Sequence, residues 1–301
     1  MATRRLPHNP NLEQYRCQAK DLRKALAARE PLALERLRQF HPQGALSRTA
    51  RLADAQLVLA REHGFASWPL FAAEVQAQQA DGWPAAVPCD AGSLAVEVSA
   101  AEAATSVVLF VLAGNVRRQH QGIRQIADRL RRARHATVLA DLLTPEEARR
   151  DAIDEELRFD VPLLSERAGL VLGRVRADPA LSDLPLALFC AGTGGAAGAT
   201  LAARRPEAVR AMVSLAGRPD LAGSALARVR APSLFIVGSE DAVAHGFTRT
   251  MLGIFPRDVA SRLEVVGGVG LRFEEGPAAA RAAELAIRWF GAHVQPAEQA
   301  A

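Results

Sequence analysis

Apolar residues recur at three- and four-residue steps through residues 11–79 and in short unbroken runs after residue 92, so the periodicity of the chain changes once. In NLEQYRCQAKDLRKALAA, Leu12, Tyr15, Ala19, Leu22 and Leu26 fall on one helical stripe. PLALERLRQF places Pro31 in the first turn of a second helix, and ADAQLVLAREHGF ends a third at Gly64. SWPLFAAEVQAQ starts a fourth, with Ser67 as N-cap and Pro69 just inside. Residues 80–92, ADGWPAAVPCDAG, hold two prolines and two glycines without a period, which predicts a linker.

Residues 93–295 follow a different pattern. SLAVEV, TSVVLFVLAG, HATVLADLL, LPLALFCAG, VRAMVSLAG, SLFIVGS and RLEVVGG are apolar runs of strand length. Between and after them, IRQIADRLRRA, VPLLSERAGLVLGRV, GAAGATLAARR, FTRTMLGIF and AAARAAELAIRWFGAHV carry helical spacing. Apolar strands alternating with helices predict a parallel sheet covered on both faces, hence an α/β domain behind a small all-helical segment.

Composition narrows the function classes. With 301 residues, 49% hydrophobic and 23% charged, the chain can bury a sizeable core. No apolar run approaches the ~20 residues a membrane span needs, and MATRRLPHNP lacks the apolar stretch of a secretory signal, so a cytoplasmic protein without membrane contact is expected. Residues 1–80 contain 12 Lys+Arg against 7 Asp+Glu, leaving 25 against 26 for the remainder, so the positive excess is N-terminal. Those basic residues alternate with acidic ones on helices, with a single tyrosine among them, which predicts a solvated face and no nucleic-acid partner. Lys20 and Lys24 are the only lysines, so arginine abundance reflects composition and says little about anion binding. Cys17, Cys89 and Cys190 lie far apart, without metal-ligand spacing, and neither a disulfide framework nor a metal or cofactor is expected.

LALFCAGTGGAAGATLAARRPEAVRAMVSLAGRPDLAG resembles the nucleophile elbow and following strand of the α/β-hydrolases, specifically the dienelactone hydrolase-like group. DLLTPEEA (Asp141–Ala148), RFDVPLLSER (Arg158–Arg167) and PSLFIVGSED (Pro232–Asp241) agree, so the resemblance spans roughly residues 94–294. It implies a doubly wound, mostly parallel sheet and a Ser, Asp, His triad. In G-x-S-x-G the serine sits on a tight strand-to-helix turn. The matching residues here are Cys190, Ala191, Gly192, Thr193 and Gly194, which puts Gly192 at the nucleophile position. Asp241 occupies the acid position, while the ending F-E-E places Leu271 where the histidine would stand. The family's His-Gly-Ser stretch after the first central strand is replaced by Leu112, Ala113, Gly114 and Asn115. The resemblance therefore implies an eroded triad: a protein that binds a small molecule or protein partner through a former active-site cleft.

The alternative is an active ester or lactone hydrolase with relocated groups. Thr193, with His245 and Asp241, is one candidate set; Cys190 is a second nucleophile and His120 a second base. His8, His41, His63, His135 and His293 are expected to be structural or solvated. Gly192, Gly194 and Ala197 also satisfy G-x-G-x-x-A, but several strands precede them and no acidic residue follows at the dinucleotide spacing. The expected ligand contacts are Gly192, Thr193, Gly194, Gly195, Gly114 and Asn115. An anionic group is expected in space vacated above Gly192, with Arg118 and Arg124 adding charge. Residues 11–79 resemble the helical region ahead of ankyrin repeats in bacterial proteins, although no repeat follows, and offer a second surface for a protein partner.

Overall fold

A computed structural model describes residues 12–44, 49–81, 86–99, 101, 103–270, 273 and 276–294. The chain divides into two units, Met1–Pro84 and Ala85–Ala301.

The first unit carries the four expected helices, α1 (Leu12–Ala27), α2 (Pro31–Phe40), α3 (Leu52–Glu62) and α4 (Trp68–Asp81). Their stripes meet: Ala19, Leu22 and Leu26 pack with Ala33, Leu37, Val58 and Leu59, and Leu12 and Tyr15 pack with Ala60, Phe71 and Val75. Short helices of this kind are marginal in water until such faces are buried. Gly64 takes φ +85° where α3 stops. The almost fully buried Glu62 receives a bidentate pair from Arg36 at 2.6 and 2.8 Å, which satisfies both of its oxygens.

The second unit is an eight-stranded sheet in the order β1-β2-β4-β3-β5-β6-β7-β8. β2 (Gly92–Ser99), β3 (Ser106–Leu112), β4 (His135–Asp141), β5 (Leu186–Ala191), β6 (Ala211–Leu215), β7 (Ser233–Gly238) and β8 (Ser261–Val266) fall on the predicted apolar runs. β3 to β8 pair in parallel, and β2 runs antiparallel to β4. Successive side chains of the central strands point to opposite faces. Val108, Phe110, Leu112, Phe189 and Val213 pack against α5 (Gln121–Arg132) and α10 (Pro277–His293). The other face is covered by α7 (Val161–Ala177) and α8 (Gly194–Arg204). Both faces are covered, so the central strands read as continuous apolar runs.

Two elements escaped the sequence pattern. The segment expected as a linker, 80–92, contains the end of α4 and a strand, β1 (Ala86–Cys89), paired antiparallel with β2. Pro88 hides this strand from a reading by composition, yet β1 is the outermost strand, where a missing N–H is tolerated. The polar helix α6 (Pro145–Asp154) has no apolar stripe and is set by its cap instead. Thr144 Oγ1 accepts from the Glu147 amide at 3.3 Å, and Glu147 Oε2 accepts from the Thr144 amide at 2.9 Å.

At the N-terminal ends of β3 and β4, buried Ser106 and His135 share a hydrogen bond of 2.7 Å between Oγ and Nδ1. Burial pushes the imidazole pKa below its ordinary 6.5. As the pH falls through 6.5 the unfolded chain takes up a proton that the folded state does not, so this site loses stability towards acid. Denaturant unfolding midpoints of the second unit should therefore drop as the pH falls below 6.5, and His135→Gln should flatten that drop. An unchanged slope in the variant would remove His135 from the explanation.

Candidate functional site

Because parallel strands all end on one edge, the loops after β3, β5, β6 and β7 converge there. They enclose a cleft of about 750 Å³. β5 reaches it through Gly192, held at φ +61° between strand and α8. Only a residue without Cβ adopts that conformation freely. β3 arrives through Gly114 at φ +75°, β6 through Gly217 and Arg218, and β7 through Asp241. Helix α9 (Ala242–Leu252) starts from Asp241, whose Oδ1 accepts the Ala244 amide at 2.9 Å.

Of the residues expected at the site, Gly192, Thr193, Gly114, Asn115, Asp241 and His120 line this cleft together. Of the others, none that the structure describes is among the lining residues. A Cβ on Gly194 would collide with the Val111 carbonyl and one on Gly195 would press on Ser214 Oγ, so these glycines let α8 sit close to the sheet, and neither is among the cleft-lining residues. Cys190 is fully buried beneath α8, and burial pushes its thiol far above the ordinary range. His245 lies one turn into α9 and is not among the cleft-lining residues. Leu271 lies outside the described residues. Thr193 lines the cleft, but its Oγ1 is buried without a hydrogen-bond partner, so no histidine among the described residues bonds to it.

The expected open space above Gly192 is filled. A Cβ placed on Gly192 would overlap the Ala113 carbonyl oxygen, because the β3–α5 loop lies directly over the elbow. Arg118 and Arg124 do not supply charge to the cleft either. Arg124 holds both oxygens of Glu97 at 3.1 and 3.2 Å. The Arg118 amide donates to Asp141 Oδ1 at 2.8 Å, and its guanidinium pairs with Oδ2 at 3.3 Å. Burial raises the Asp141 carboxyl above its usual range, and the Arg118 amide and the charges of Arg118 and Arg117 only partly oppose it.

Three polar residues of the wall were not anticipated. Arg158 is buried; its Nε donates to Asp151 Oδ2 at 2.9 Å and Nη2 to the Asp151 carbonyl at 2.7 Å. Its Nη1 donates to Asn115 Oδ1 at 3.0 Å and pairs with Glu155, also at 3.0 Å. This one side chain ties the loop over the elbow to the end of α6. Arg218 is clasped by Asp220 at 2.9 and 2.8 Å, with its guanidinium 4.5 Å above the Phe247 ring. Arg158 opens a stretch singled out by resemblance, but its role depends on Asn115, 43 positions away, and no sequence spacing announces it. Apolar wall is supplied by Val116, Ile123, Leu215, Val243 and Phe273. Among the described residues, no group of three or more His, Cys, Asp or Glu side chains could hold a metal ion, and no helix is long and apolar enough to cross a membrane.

Comparison with known proteins follows this geometry. No family model matches the chain. A dienelactone hydrolase from Anabaena variabilis superposes with a TM-score of 0.66 at 35% identity, over 71% of this chain and 98% of that one. Est1E from Butyrivibrio proteoclasticus shares the fold at 11% identity and a TM-score of 0.55, over 68% of this chain and 98% of that one. A Mycobacterium tuberculosis protein described as a candidate phosphoribosyl transferase is 38% identical over 188 residues, 62% of this chain. The chain spans 41% of the length of that relative. The identity to the Anabaena protein extends over nearly all of that protein: this chain belongs to the dienelactone hydrolase-like group of the α/β-hydrolases.

Proposed function

We propose that the hydrolase-like unit is a non-hydrolytic binding module that takes a small molecule into the cleft at the strand ends. The observation that carries this reading is the Ala113 carbonyl oxygen, which occupies the place of a Cβ on Gly192. A nucleophile at the elbow needs both a side chain and room for it, and residue 192 has neither. Glycine at 192 is thus no isolated loss from an otherwise ready site.

The substitutes lack the contacts that nucleophilic catalysis needs. An alcohol or thiol must meet a base within hydrogen-bond reach. Cys190 is buried and held protonated, and among the described residues neither Thr193 Oγ1 nor the buried Nδ1 of His120 has a hydrogen-bond partner. Binding requires less, and the cleft supplies it: a volume in the range of ligand sites, an apolar wall and a few polar groups.

Activated nitrophenyl esters and a dienelactone should show no turnover above background with the purified protein. The double variant Gly192→Ser, Leu271→His should remain inactive, because the new serine Cβ meets the Ala113 carbonyl. Saturable turnover that disappears in Thr193→Val would establish the relocated-nucleophile enzyme instead.

The same geometry orders two stability effects. Gly114→Ala adds a Cβ whose nearest neighbour is Thr193 Oγ1 at 3.5 Å, so only the left-handed backbone opposes it, at about 1–2 kcal/mol. Gly192→Ala meets that same cost together with the backbone collision, and should destabilise clearly more in denaturant titrations. Equal losses would mean the loop yields freely and would remove the steric argument against a nucleophile.

A further inference from the structure

We propose that the cleft takes an uncharged molecule with an apolar body and a hydroxyl group, and that this hydroxyl donates to Asp241; the proposal rests on the binding reading above and specifies its ligand.

Asp241 carries the first part. As the triad acid it would hold a histidine, but here its Oδ1 caps α9 through the Ala244 amide. Its Oδ2 has no hydrogen-bond or ion-pair partner among the described residues, and the half-buried side chain lines the cleft. A ligand that fills the cleft strips water from that oxygen. Leaving a carboxylate oxygen dry and unpaired is costly, so the occupant that binds well brings a donor to it.

Charge decides which donor. The two guanidiniums of the wall are already engaged, Arg158 by Asp151 and Glu155 and Arg218 by Asp220. Together with Asp241 that makes four carboxylates against two guanidiniums among the described residues. The N-termini of α5, α8 and α9 open at the same edge, with His120, Thr193 and Asp241 at their N-cap positions, and each adds about half a positive charge. The wall is thus within about one charge of neutral. An anion finds no guanidinium without a carboxylate, and an ammonium approaches three positive helix ends. The free oxygen of Asp241 repels an anion, and the helix ends offset much of its pull on an ammonium, which still loses its hydration shell; a hydroxyl donates to Asp241 without bringing a charge into the cleft.

The apolar body follows from the rest of the wall. Ile123 and Leu215 are buried inside the cleft, while Phe159 and Val243 line it and remain 50% and 67% exposed. Apolar side chains continue from the floor to the surface, so the molecule's apolar part extends along them to solvent.

Four probes that share a phenyl ring and a short chain separate the possibilities: 2-phenylethanol, 2-phenylethylamine, phenylacetate and 2-phenylethyl methyl ether. Dissociation constants come from ligand-observed NMR titration of the full chain. The alcohol should bind about tenfold more tightly than the ether, as expected for a hydrogen bond to a charged acceptor, and more tightly than the amine or the acid. Asp241→Asn keeps an amide oxygen to cap Ala244 but replaces the free acceptor by a donor. It should bring the alcohol down to the affinity of the ether and leave the ether unchanged. Tighter binding of phenylacetate or 2-phenylethylamine, equal binding of alcohol and ether, or no saturable binding of any probe would overturn the proposal. Ester turnover is measured separately: its appearance would refute the non-hydrolytic reading whatever the probe ranking.

Discussion

Two backbones approach one another at the elbow more closely than side chains allow, and the site is organised around that contact. The Ala113 carbonyl lies over Gly192 and the Val111 carbonyl over Gly194, so the strand-to-helix turn after β5 is pressed against the end of β3. Glycine at both positions is the condition for this packing. The approach seats α8 on the sheet and brings the β3–α5 loop across the position where hydrolases of this group place a reactive side chain. The turn is held as architecture by these contacts, and a Cβ at position 192 would meet the Ala113 carbonyl.

The wall of the cleft completes that picture. Arg158 and Arg218 are the two guanidiniums of the wall, and each is spent on a carboxylate. Arg158 also reaches the loop over the elbow through Asn115, so the segment that closes Gly192 is held from above by the same residue that fixes the end of α6. The cleft is electrostatically quiet, apart from the free oxygen of Asp241.

How much of this was legible depended on whether the information is local. The central strands were, because a strand covered on both faces must be apolar along its length, as Val107 to Leu112 are. Gly192 and Asp241 both line the cleft, and the patterns that mark them, small residues around a strand-helix turn and an acid at the end of the next-but-one strand, are contiguous in sequence. β1 was hidden by Pro88, whose tolerance depends on the strand lying at an edge. Nothing at residue 192 reveals the position of the Ala113 carbonyl, because a backbone oxygen carries no residue identity. Likewise the expectations for Arg118 and Arg124 failed on partners, Asp141 and Glu97, that are brought near only by the pairing of β2 with β4 and β4 with β3.

The seating of α8 has a consequence for how this sequence can vary. Beneath the helix, a Cβ on Gly198 would overlap Cys190 Sγ, so the thiol fills the notch that the glycine leaves. The two positions share one fixed volume. A lineage that enlarges residue 198 must shrink residue 190 at the same step or lift the helix away from the sheet, and with it the turn at Gly192. Position 190, two residues before Gly192, is therefore tied in evolution to a site about one turn into α8, as a correlated pair of sizes.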